Sequence, residues 1–218
     1  MAWPIEFYET LEGSRPVEEF LRGLPRTQAA KVNAVITLLS KRGPTLGFPH
    51  SSQVIGKLRE LRIQLGRGRI RVLYFFAPSR VGVLLHAFAK RTAKLPPQEI
   101  NLALQRMADY LRRRGGRAMT KRRRKTNWDM YLEEQLKDPA FRTIFEQELM
   151  ELHVGDQVLR LREKRGLTQG QLAAKVGTAA PNISRLEAGK ANPTLRTLAK
   201  VAAALGAKVK VQLVEARS

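Results

Sequence analysis

The stretch from residue 167 to residue 190 most constrains the fold, because it has the pattern of a helix, a tight turn and a second helix. Thr168 is placed to cap the first helix, and Gln171, three residues later, is placed to complete a capping box. In the second helix Ile183 and Leu186 lie three residues apart and so face the same side. We therefore predict two short helices joined by a tight turn, with their apolar sides in a small core.

The other side of the second helix points away from that core and carries Ala180, Asn182, Ser184 and Arg185. From about residue 158 to residue 206 the chain resembles the Cro/repressor-type, or XRE-like, helix-turn-helix family. The resemblance implies that the second helix enters the major groove of DNA. It implies Arg185 as a reader of guanine, Asn182 as a reader of adenine and Ala180 as a contact for a thymine methyl group.

The full set of DNA contacts implied by the resemblance is Gln169, Thr178, Ala180, Asn182, Ser184, Arg185 and Lys190. The alternative is a helical hairpin that only packs a small bundle. That alternative explains the apolar side of the second helix. It does not explain the joint spacing of Thr168, Gln171, Gly177, Glu187 and Gly189.

Charge is distributed unevenly along the 218 residues, whose net charge is +21. Residues 1–118 hold 21 basic and 8 acidic side chains, residues 126–153 hold 2 and 7, and residues 154–218 hold 12 and 4. Residues 119–125 add 5 basic side chains and no acidic one. Strongly basic segments attract polyanions by steering and by counterion release. The distribution therefore predicts nucleic-acid partners for more than one part of the chain.

The chain has no cysteine, and its three histidines, His50, His86 and His153, have no metal-binding spacing. We therefore expect no disulfide, no thiol nucleophile, no metal site and no cofactor. The first residues lack the charged and apolar regions of a signal peptide, and no apolar run is as long as a membrane-spanning helix. We expect a bacterial cytoplasmic protein without a membrane partner.

Domain boundaries follow from composition. Glycines and a run of like charges between residues 112 and 125 cannot bury surface and predict a linker. We predict a first domain over residues 1–114, a basic linker over 115–127, an acidic amphipathic helical segment over 128–153 and a second domain over 154–218. The linker is either a solvated tether or a nucleic-acid-binding arm. Met119 is also a candidate start codon, so the chain is alternatively two adjacent reading frames that have been joined.

The first domain is predicted to be α+β, with helices beside a small antiparallel sheet. Alternating apolar residues predict strands over residues 5–8, 58–65, 70–76 and 81–90, of which the last three form a meander with turns at 66–68 and 77–79. Helical spacing predicts helices over residues 17–21, 27–41 and 97–114. The second domain is predicted to be all-α with a β-strand at its C-terminus.

That last strand covers residues 207–214, where Val209, Val211 and Leu213 alternate with polar residues. A lone strand needs a partner strand. Pairing two copies about a two-fold axis would set two recognition helices one groove turn apart. We therefore predict a homodimer, formed through this strand, that binds a palindromic operator.

Three segments of the first domain carry a second resemblance: Lys57 to Arg62, Arg71 to Phe76 and Leu84 to Pro96. They look like the phage-derived HigB branch of the RelE/ParE toxins, over roughly residues 3–110. The resemblance implies a small ribonuclease, of a kind that often cuts messenger RNA in the translating ribosome and is held inactive by an antitoxin encoded beside it. HigA antitoxins are similar to the Cro-like domain, and toxin followed by antitoxin is the gene order typical of the pair.

Cleaving RNA without metal requires attack by the neighbouring 2′-OH, neutralisation of the phosphorane and protonation of the leaving 5′ oxygen. Period-two alternation places cations on neighbouring strands where they can serve these needs. The predicted catalytic set is Arg62, Arg71, Lys90, His86 and Glu60, in which the two arginines clamp the phosphate and Lys90 is a general acid or an oxyanion stabiliser. The predicted RNA-binding residues are Lys57, Phe88, Arg91 and Lys94.

Each role has an alternative. The arginines are otherwise solvated charges, His86 is otherwise a half-buried, hydrogen-bonded histidine, and Glu60 is either a general base or a structural ion pair. Tyr74, Phe88 or Trp3 could stack a base, although Tyr74 is also typical of a core residue.

The acidic segment suggests how the activity is controlled. Asp138 and Pro139 predict a helix start, and Phe141 and Phe145 belong to an apolar stripe among glutamates. We hypothesise that this segment, with Trp128 and Tyr131 before it, docks on the toxin half in cis or in trans and covers or distorts its RNA face. The alternative is that the helix only completes the antitoxin bundle.

The sequence thus predicts a toxin-antitoxin protein. Its first half is a metal-independent messenger-RNA endoribonuclease restrained by the fused antitoxin, which also binds operator DNA as an autorepressor. The alternative is a DNA-binding regulator whose toxin-like half is catalytically silent and serves as a co-repressor or interaction module.

Overall fold

The computed structural model describes residues 2–66, 68–90, 94–114 and 125–213, with position 114 described by its backbone only. Four parts of the predictions lie outside the described residues: Arg91, position 67 of the first predicted turn, Val214 and residues 115–124 of the linker predicted over 115–127. The end of that linker is described, and Asn127 already belongs to a helix there. The chain divides into two compact units, Met1–Leu149 and Met150–Ser218, which are considered separately. No helix in the described part of the chain is long and apolar enough to span a bilayer.

The N-terminal unit combines one sheet with helices. Its elements in chain order are β1 (Ile5–Phe7), α1 (Pro16–Arg22), α2 (Arg26–Arg42), a 3₁₀ turn (Gly43–Thr45), β2 (Ser51–Ile55), β3 (Leu58–Leu65), β4 (Gly68–Phe76), β5 (Gly82–Ala89), α3 (Pro97–Arg114), α4 (Asn127–Gln135) and the first part of α5 (Pro139–Lys164). Every helix and strand predicted for the first domain is confirmed. Asp138 begins α5 as expected, since its carboxylate accepts a hydrogen bond from the backbone N–H of Ala140 at 2.9 Å.

The sheet has five strands in the order β1-β5-β4-β3-β2. The predicted meander is β3-β4-β5, which is antiparallel throughout. The sheet as a whole is mixed rather than antiparallel, because β1 pairs with β5 in parallel. Strand β2 was not predicted. Its first residues, Ser51, Ser52 and Gln53, are polar and give no alternating apolar signal.

Helices cover both faces of this sheet. Leu58, Leu73 and Leu85 pack in one core cluster with Ala103 and Tyr110 of α3. The residues that alternate with them in β3 are buried on the other face, where α2 packs on β3. Strand β5 holds one extra residue at Leu85, because His86 pairs with Leu73 whereas Leu84 pairs with Tyr74. This bulge places Leu85 and His86 on the same side of the sheet, toward α3.

The acidic segment packs on the N-terminal half of the same chain. Asn127 accepts a hydrogen bond from the backbone N–H of Phe7 at 2.8 Å and donates one to its carbonyl at 3.0 Å, so it closes the free edge of β1. Tyr131 is buried with its ring 5.4 Å from that of Phe7, and its hydroxyl accepts a hydrogen bond from Asn33. Three ion pairs extend the contact: Arg22–Glu134, Arg26–Asp138 and Lys31–Glu148.

The contacts of this segment lie on α1, α2 and β1. Within one chain the segment thus contacts the N-terminal half, and its role in restraint stays a prediction. The hydrogen bonds and ion pairs given above join the segment to none of Arg62, Arg71 and Lys90, so its coverage of the predicted RNA face stays a prediction. The predicted boundary at residue 153 falls inside α5, which continues to Lys164.

The C-terminal unit holds the rest of α5 with α6 (Gln169–Val176), α7 (Ala180–Glu187) and α8 (Leu195–Ala204). The capping box of Thr168 and Gln171 forms as predicted, and Gly177 ends α6 in the left-handed conformation with φ 75°. Ile183 and Leu186 are buried in the core of this unit. Residues 207–213 belong to no regular element of the single chain, so the C-terminal strand stays a prediction that depends on a partner.

Candidate nucleic-acid interfaces

The first candidate site is a row of side chains across the middle of the sheet. Arg62 of β3 lies opposite Arg71 of β4, which lies opposite Phe88 of β5. Lys90 follows β5, and its backbone N–H donates to the carbonyl of Arg69 at 2.7 Å. The antiparallel register thus brings Arg62, Arg71 and Lys90 together from positions far apart in sequence, as alternation predicted.

Glu60 organises the cations of this row. Its carboxylate lies 2.8 Å from Nε of Arg71 and 3.9 Å from Nε of Arg62, and it accepts a hydrogen bond from the hydroxyl of Ser52 at 2.8 Å. Glu60 is 7% exposed and Arg71 is 5% exposed. This geometry favours the structural ion pair over the general base for Glu60.

The predicted clamp of two arginines is therefore revised. Burial lowers the pKa of Arg71, an effect that Glu60 opposes and Arg62 reinforces. Its guanidinium is committed to Glu60 and to the carbonyl of Ile70, which accepts a hydrogen bond at 3.0 Å. The side chain of Arg62 is 35% exposed. Arg62 is thus the arginine that solvent, and hence a phosphate, can reach. Arg71 instead neutralises the carboxylate of Glu60 inside the domain.

Lys90 is half-buried beside this pair. Burial lowers its pKa, the charge of Arg71 lowers it further, and Glu60 acts in the opposite direction. An ammonium group with a lowered pKa releases its proton more readily than an ordinary lysine does. The surroundings of Lys90 therefore suit a general acid.

His86 is held by α3 rather than by the row. Its Nε2 lies 2.5 Å from a carboxylate oxygen of Glu99, and its Nδ1 lies 3.1 Å from Nη1 of Arg106. Because an arginine can only donate, Nδ1 is the acceptor and Nε2 carries the proton that Glu99 accepts. Its ring also stacks on that of Phe88, with centroids 5.6 Å apart. These contacts favour a packed, hydrogen-bonded histidine over a catalytic base.

The predicted RNA-binding residues do not form one cluster. Lys57 is exposed in the turn between β2 and β3, five residues from Arg62 and so about 17 Å away along the strand. Lys94 is exposed just before α3, whereas Phe88 is buried in the core and offers no free face to a base. Arg91 lies outside the described residues.

Of the other aromatic candidates, Tyr74 is a core residue whose hydroxyl is bonded to Ser51 and Arg59. Trp3 is half-buried, and its ring packs against Phe76 at 5.0 Å. Phe48, which sequence reasoning missed, lies beside Arg62 of the row and is exposed, unlike the buried Phe88. It stands in a Gly- and Pro-containing loop without periodicity, which gave no signal. No three His, Asp or Glu side chains of the described part are grouped so as to hold a metal ion.

The second candidate site is the exposed side of α7. Asn182 and Arg185 are exposed and lie three residues apart, on one face of the helix, as predicted for groove contacts. The amide of Asn182 donates to the hydroxyl of Thr178 at 3.0 Å. Ser184 is half-buried and Lys190 is exposed after the helix. Ala180 does not point away from the core as predicted, because as the first residue of α7 it packs against the core cluster.

Gln169 is tied to the interior of the same unit. Its amide donates a hydrogen bond to Glu187 at 2.8 Å. The carboxylate of Glu187 also accepts hydrogen bonds from Nε and Nη2 of Arg162, at 2.5 and 2.9 Å. The carboxylate of Glu187 raises the pKa of Arg162. This buried bidentate pair links α5, α6 and α7, and so fixes the angle at which α7 is presented. A groove of about 330 Å³ runs beside α7 and includes Thr178, Asn182 and Arg185 in its lining.

Comparison with known proteins gives a match for each unit. The family described as "Phage derived protein Gp49-like" matches residues 19–108, and the family described as "Helix-turn-helix" matches residues 158–210. The chain is 45% identical over 53 residues to "Uncharacterized HTH-type transcriptional regulator y4dJ" of Sinorhizobium fredii, which is 24% of this chain and 69% of that protein.

Two further relatives match the two halves separately. "Putative toxin HigB2" of Mycobacterium tuberculosis is 32% identical over 102 residues, which is 44% of this chain and 51% of that protein. "Immunity repressor protein" of Bacillus phage phi105 is 41% identical over 56 residues, which is 26% of this chain and 39% of that protein. The chain thus spans about half the length of the former relative and less of the latter.

Proposed function

Since the chain belongs to the helix-turn-helix regulators through its C-terminal unit and carries a Gp49-like toxin domain of the HigB/RelE kind at its N-terminus, we propose that it is a ribonuclease toxin fused to its own DNA-binding antitoxin. The observation that carries the proposal is the cationic row in which Arg62 is accessible and Lys90 lies beside a buried Glu60–Arg71 pair. The proposed substrate is messenger RNA that is bound to the translating ribosome.

In the proposed reaction the 2′-OH of a nucleotide attacks the adjacent phosphorus and loses its proton to water. Arg62 neutralises the non-bridging oxygens of the phosphorane, whose extra negative charge forms in the transition state. The bond from phosphorus to the 5′ oxygen then breaks, and Lys90 donates its proton to that leaving oxygen. The products are a 2′,3′-cyclic phosphate and a 5′-OH. Glu60 and Arg71 position the two cations and take no part in bond breaking.

We propose that the fused antitoxin inhibits the toxin domain without covering its cationic row. The acidic segment packs on α1, α2 and β1, and Arg62 remains accessible in the same chain. We propose that the added second unit hinders access to the ribosome and that this hindrance, together with the packing of α4, keeps the toxin inactive.

The proposed role of the C-terminal unit is autorepression. Asn182 and Arg185 would read base edges of a palindromic operator, and Ser184, Thr178 and Lys190 would contact its flanks or backbone. Gln169 is proposed as a phosphate contact held in place by Glu187. The dimer that such an operator requires would form through the C-terminal strand.

Growth of bacteria tests the proposal. Expression of residues 1–114 alone is expected to arrest growth. Co-expression of residues 125–218 is expected to restore growth, and expression of the full chain is expected not to arrest it. Arg62→Ala with Lys90→Ala in the fragment should abolish the arrest. Arg112→Ala is the matched control, because its side chain is 78% exposed at the far end of α3. Arrest that persists in the double variant would contradict the proposed site.

The second candidate function is a DNA-binding regulator with a silent toxin-like half. It is favoured by the commitment of Arg71 and His86 to packing contacts. Under this function the fragment would not arrest growth, and repression by the full chain would not change in the Arg62→Ala, Lys90→Ala variant. A reporter gene behind the protein's own promoter measures that repression.

A further inference from the structure

Phe48 is an exposed aromatic side chain at the edge of the cationic row. Among the described residues, the large hydrophobic side chains left exposed in the N-terminal unit are Leu11, Phe48, Ile55 and Met130, and Phe48 is the aromatic one, with 64% exposure. A single exposed apolar side chain needs no explanation by itself. What distinguishes Phe48 is its position relative to Arg62.

The loop that carries Phe48 is held against β3 at Arg62. The backbone N–H of Arg62 donates to the carbonyl of His50 at 2.8 Å, which extends the pairing of β2 with β3 by one residue. Arg62 in turn lies opposite Arg71. Since neighbouring strands are about 4.8 Å apart, this part of the loop lies two strand spacings, about 10 Å, from the backbone of Arg71.

The guanidinium of Arg62 lies 5.2 Å from the centre of the Phe48 ring. This cation–π contact orients both groups while leaving them accessible, with the Arg62 side chain 35% exposed. A planar cation beside an aromatic ring offers two flat surfaces at one place. Unpaired RNA bases stack on both kinds of surface, whereas paired bases are already stacked in their helix.

We propose that Phe48 and Arg62 form a platform that stacks one unpaired RNA base next to the phosphate that is cut. The proposal rests on the proposed ribonuclease function and adds to it a residue that selects the substrate. Arg62 then has two contacts, one with the phosphate and one with the base. The platform favours single-stranded RNA, and it orients the chain so that the scissile phosphate falls between Arg62 and Lys90.

Tryptophan fluorescence in the full chain tests this platform. Phe48→Trp places a reporter at the site, and its emission is followed as single-stranded oligoadenylate is added at fixed salt. Leu11→Trp is the matched control, because Leu11 is also exposed and follows β1, at the opposite edge of the sheet from β2. The unmodified chain gives the background of Trp3 and Trp128. An abasic oligoribonucleotide of the same length separates base stacking from phosphate binding.

The platform predicts quenching by oligoadenylate in Phe48→Trp, none in Leu11→Trp and none with the abasic strand. It also predicts that Phe48→Ala weakens oligoadenylate binding by about fivefold or more, whereas Phe48→Tyr binds as tightly as the unmodified chain. Both affinities are measured by competition with the Phe48→Trp chain for oligoadenylate. Equal quenching by the abasic strand, or unweakened binding by Phe48→Ala, would overturn the platform. Equal quenching by oligodeoxyadenylate would overturn its assignment to RNA.

These results are separable from the ribonuclease proposal. Quenching in the full chain, together with no new messenger-RNA ends in bacteria that express residues 1–114, would leave the platform standing and remove the ribonuclease. Cleavage whose KM is the same in Phe48→Ala and in the unmodified chain would leave the ribonuclease standing and overturn the platform. If both hold, Phe48→Ala raises KM and changes kcat little, because stacking holds substrate and transition state alike.

Discussion

Arg71 and Lys90 carry the same charge but have different surroundings, and the difference assigns their roles. Arg71 is buried and paired with Glu60, so its charge is fixed in place. Lys90 is half-buried, without the same close carboxylate contact, and its pKa is lowered. Among cations on one sheet, the one whose proton is easiest to release is the better proton donor, and the one that is permanently charged is the better scaffold.

The pH dependence of RNA cleavage tests the role of Lys90. A general acid must be protonated, so activity falls as the pH rises through its pKa. Because burial and Arg71 lower the pKa of Lys90, activity should fall at a lower pH than an ordinary lysine would give. Lys90→Arg keeps the charge but cannot release a proton, so kcat should drop by about 10²–10⁴-fold and the alkaline decline should disappear. If Lys90→Arg kept the original kcat and the alkaline decline in activity, Lys90 would be ruled out as the general acid.

The Glu60–Arg71 pair can be tested through stability. Glu60→Gln leaves the buried guanidinium of Arg71 without a counter-charge, and breaking a buried ion pair costs about 3–5 kcal/mol of the free energy of unfolding. Glu146→Gln, at an exposed position of α5, should change it by less than about 0.5 kcal/mol. Urea unfolding measures both. Equal effects of the two substitutions would mean that the pair does not stabilise the sheet.

At the scale of elements, the sequence predicted what local patterns determine. Helix α3 runs over Pro97–Arg114 as predicted, since its apolar residues recur at helical spacing and Pro97 marks its start. Strand β2 could not be predicted, because its first residues are polar and it is extended only by pairing with β3. The hydrogen-bond partners of His86 could not be predicted either, because Glu99 and Arg106 come from a helix whose placement depends on the whole domain.

The same limit applied to the site. Alternation correctly placed Arg62 opposite its partner on the next strand. It could not show that Arg71 is buried, because burial depends on the elements packed around the sheet rather than on the strand itself. It also gave no indication of Phe48, whose loop is held by a backbone hydrogen bond from Arg62 and by the guanidinium of Arg59, which donates to the carbonyl of Leu46.

The packing of α5 on α7 depends on one glycine. A Cβ atom at Gly155 would lie 2.5 Å from the carbonyl oxygen of Leu186, which is too close for any real contact. We expect Gly155→Ala to lower the free energy of unfolding of the C-terminal unit by about 1–3 kcal/mol through overpacking. Gly170→Ala is the control, because the added methyl group would meet only the Thr168 hydroxyl, at 3.9 Å. Urea unfolding followed by circular dichroism compares them, and no loss in Gly155→Ala would contradict this contact.

At the scale of the whole molecule, the chain joins a toxin-type unit and a DNA-binding unit through α5, and its charge alternates with them. The acidic segment neutralises cations of α1 and α2 that would otherwise be exposed on a strongly basic domain. Arg62 of the basic row keeps an exposed side chain, as do Asn182 and Arg185 of α7, so the proposed RNA and DNA contacts are both accessible. One chain thus presents two separate surfaces suited to polyanions.

Oligomeric state is the property of the whole molecule that the C-terminal strand predicts. Val209, Val211 and Leu213 are 41%, 61% and 95% exposed in the single chain. Pairing with a second copy would cover them. Light scattering at micromolar concentration should give a dimer, and Val211→Pro should give a monomer with weaker operator binding, since proline cannot donate in a strand ladder. A monomeric unmodified chain would contradict dimerisation.

The toxin half is proposed to cut RNA by 2′-OH attack, and this chemistry is identified from the cut ends of messenger RNA. Messenger RNA is isolated from bacteria that express residues 1–114, with and without Arg62→Ala and Lys90→Ala, and its new ends are mapped and identified. The proposed mechanism gives new ends that carry 5′-OH and 2′,3′-cyclic phosphate, and these ends should be absent from the double variant. Ends that carry a 5′-phosphate, or no new ends at all while the fragment is present and folded, would contradict it.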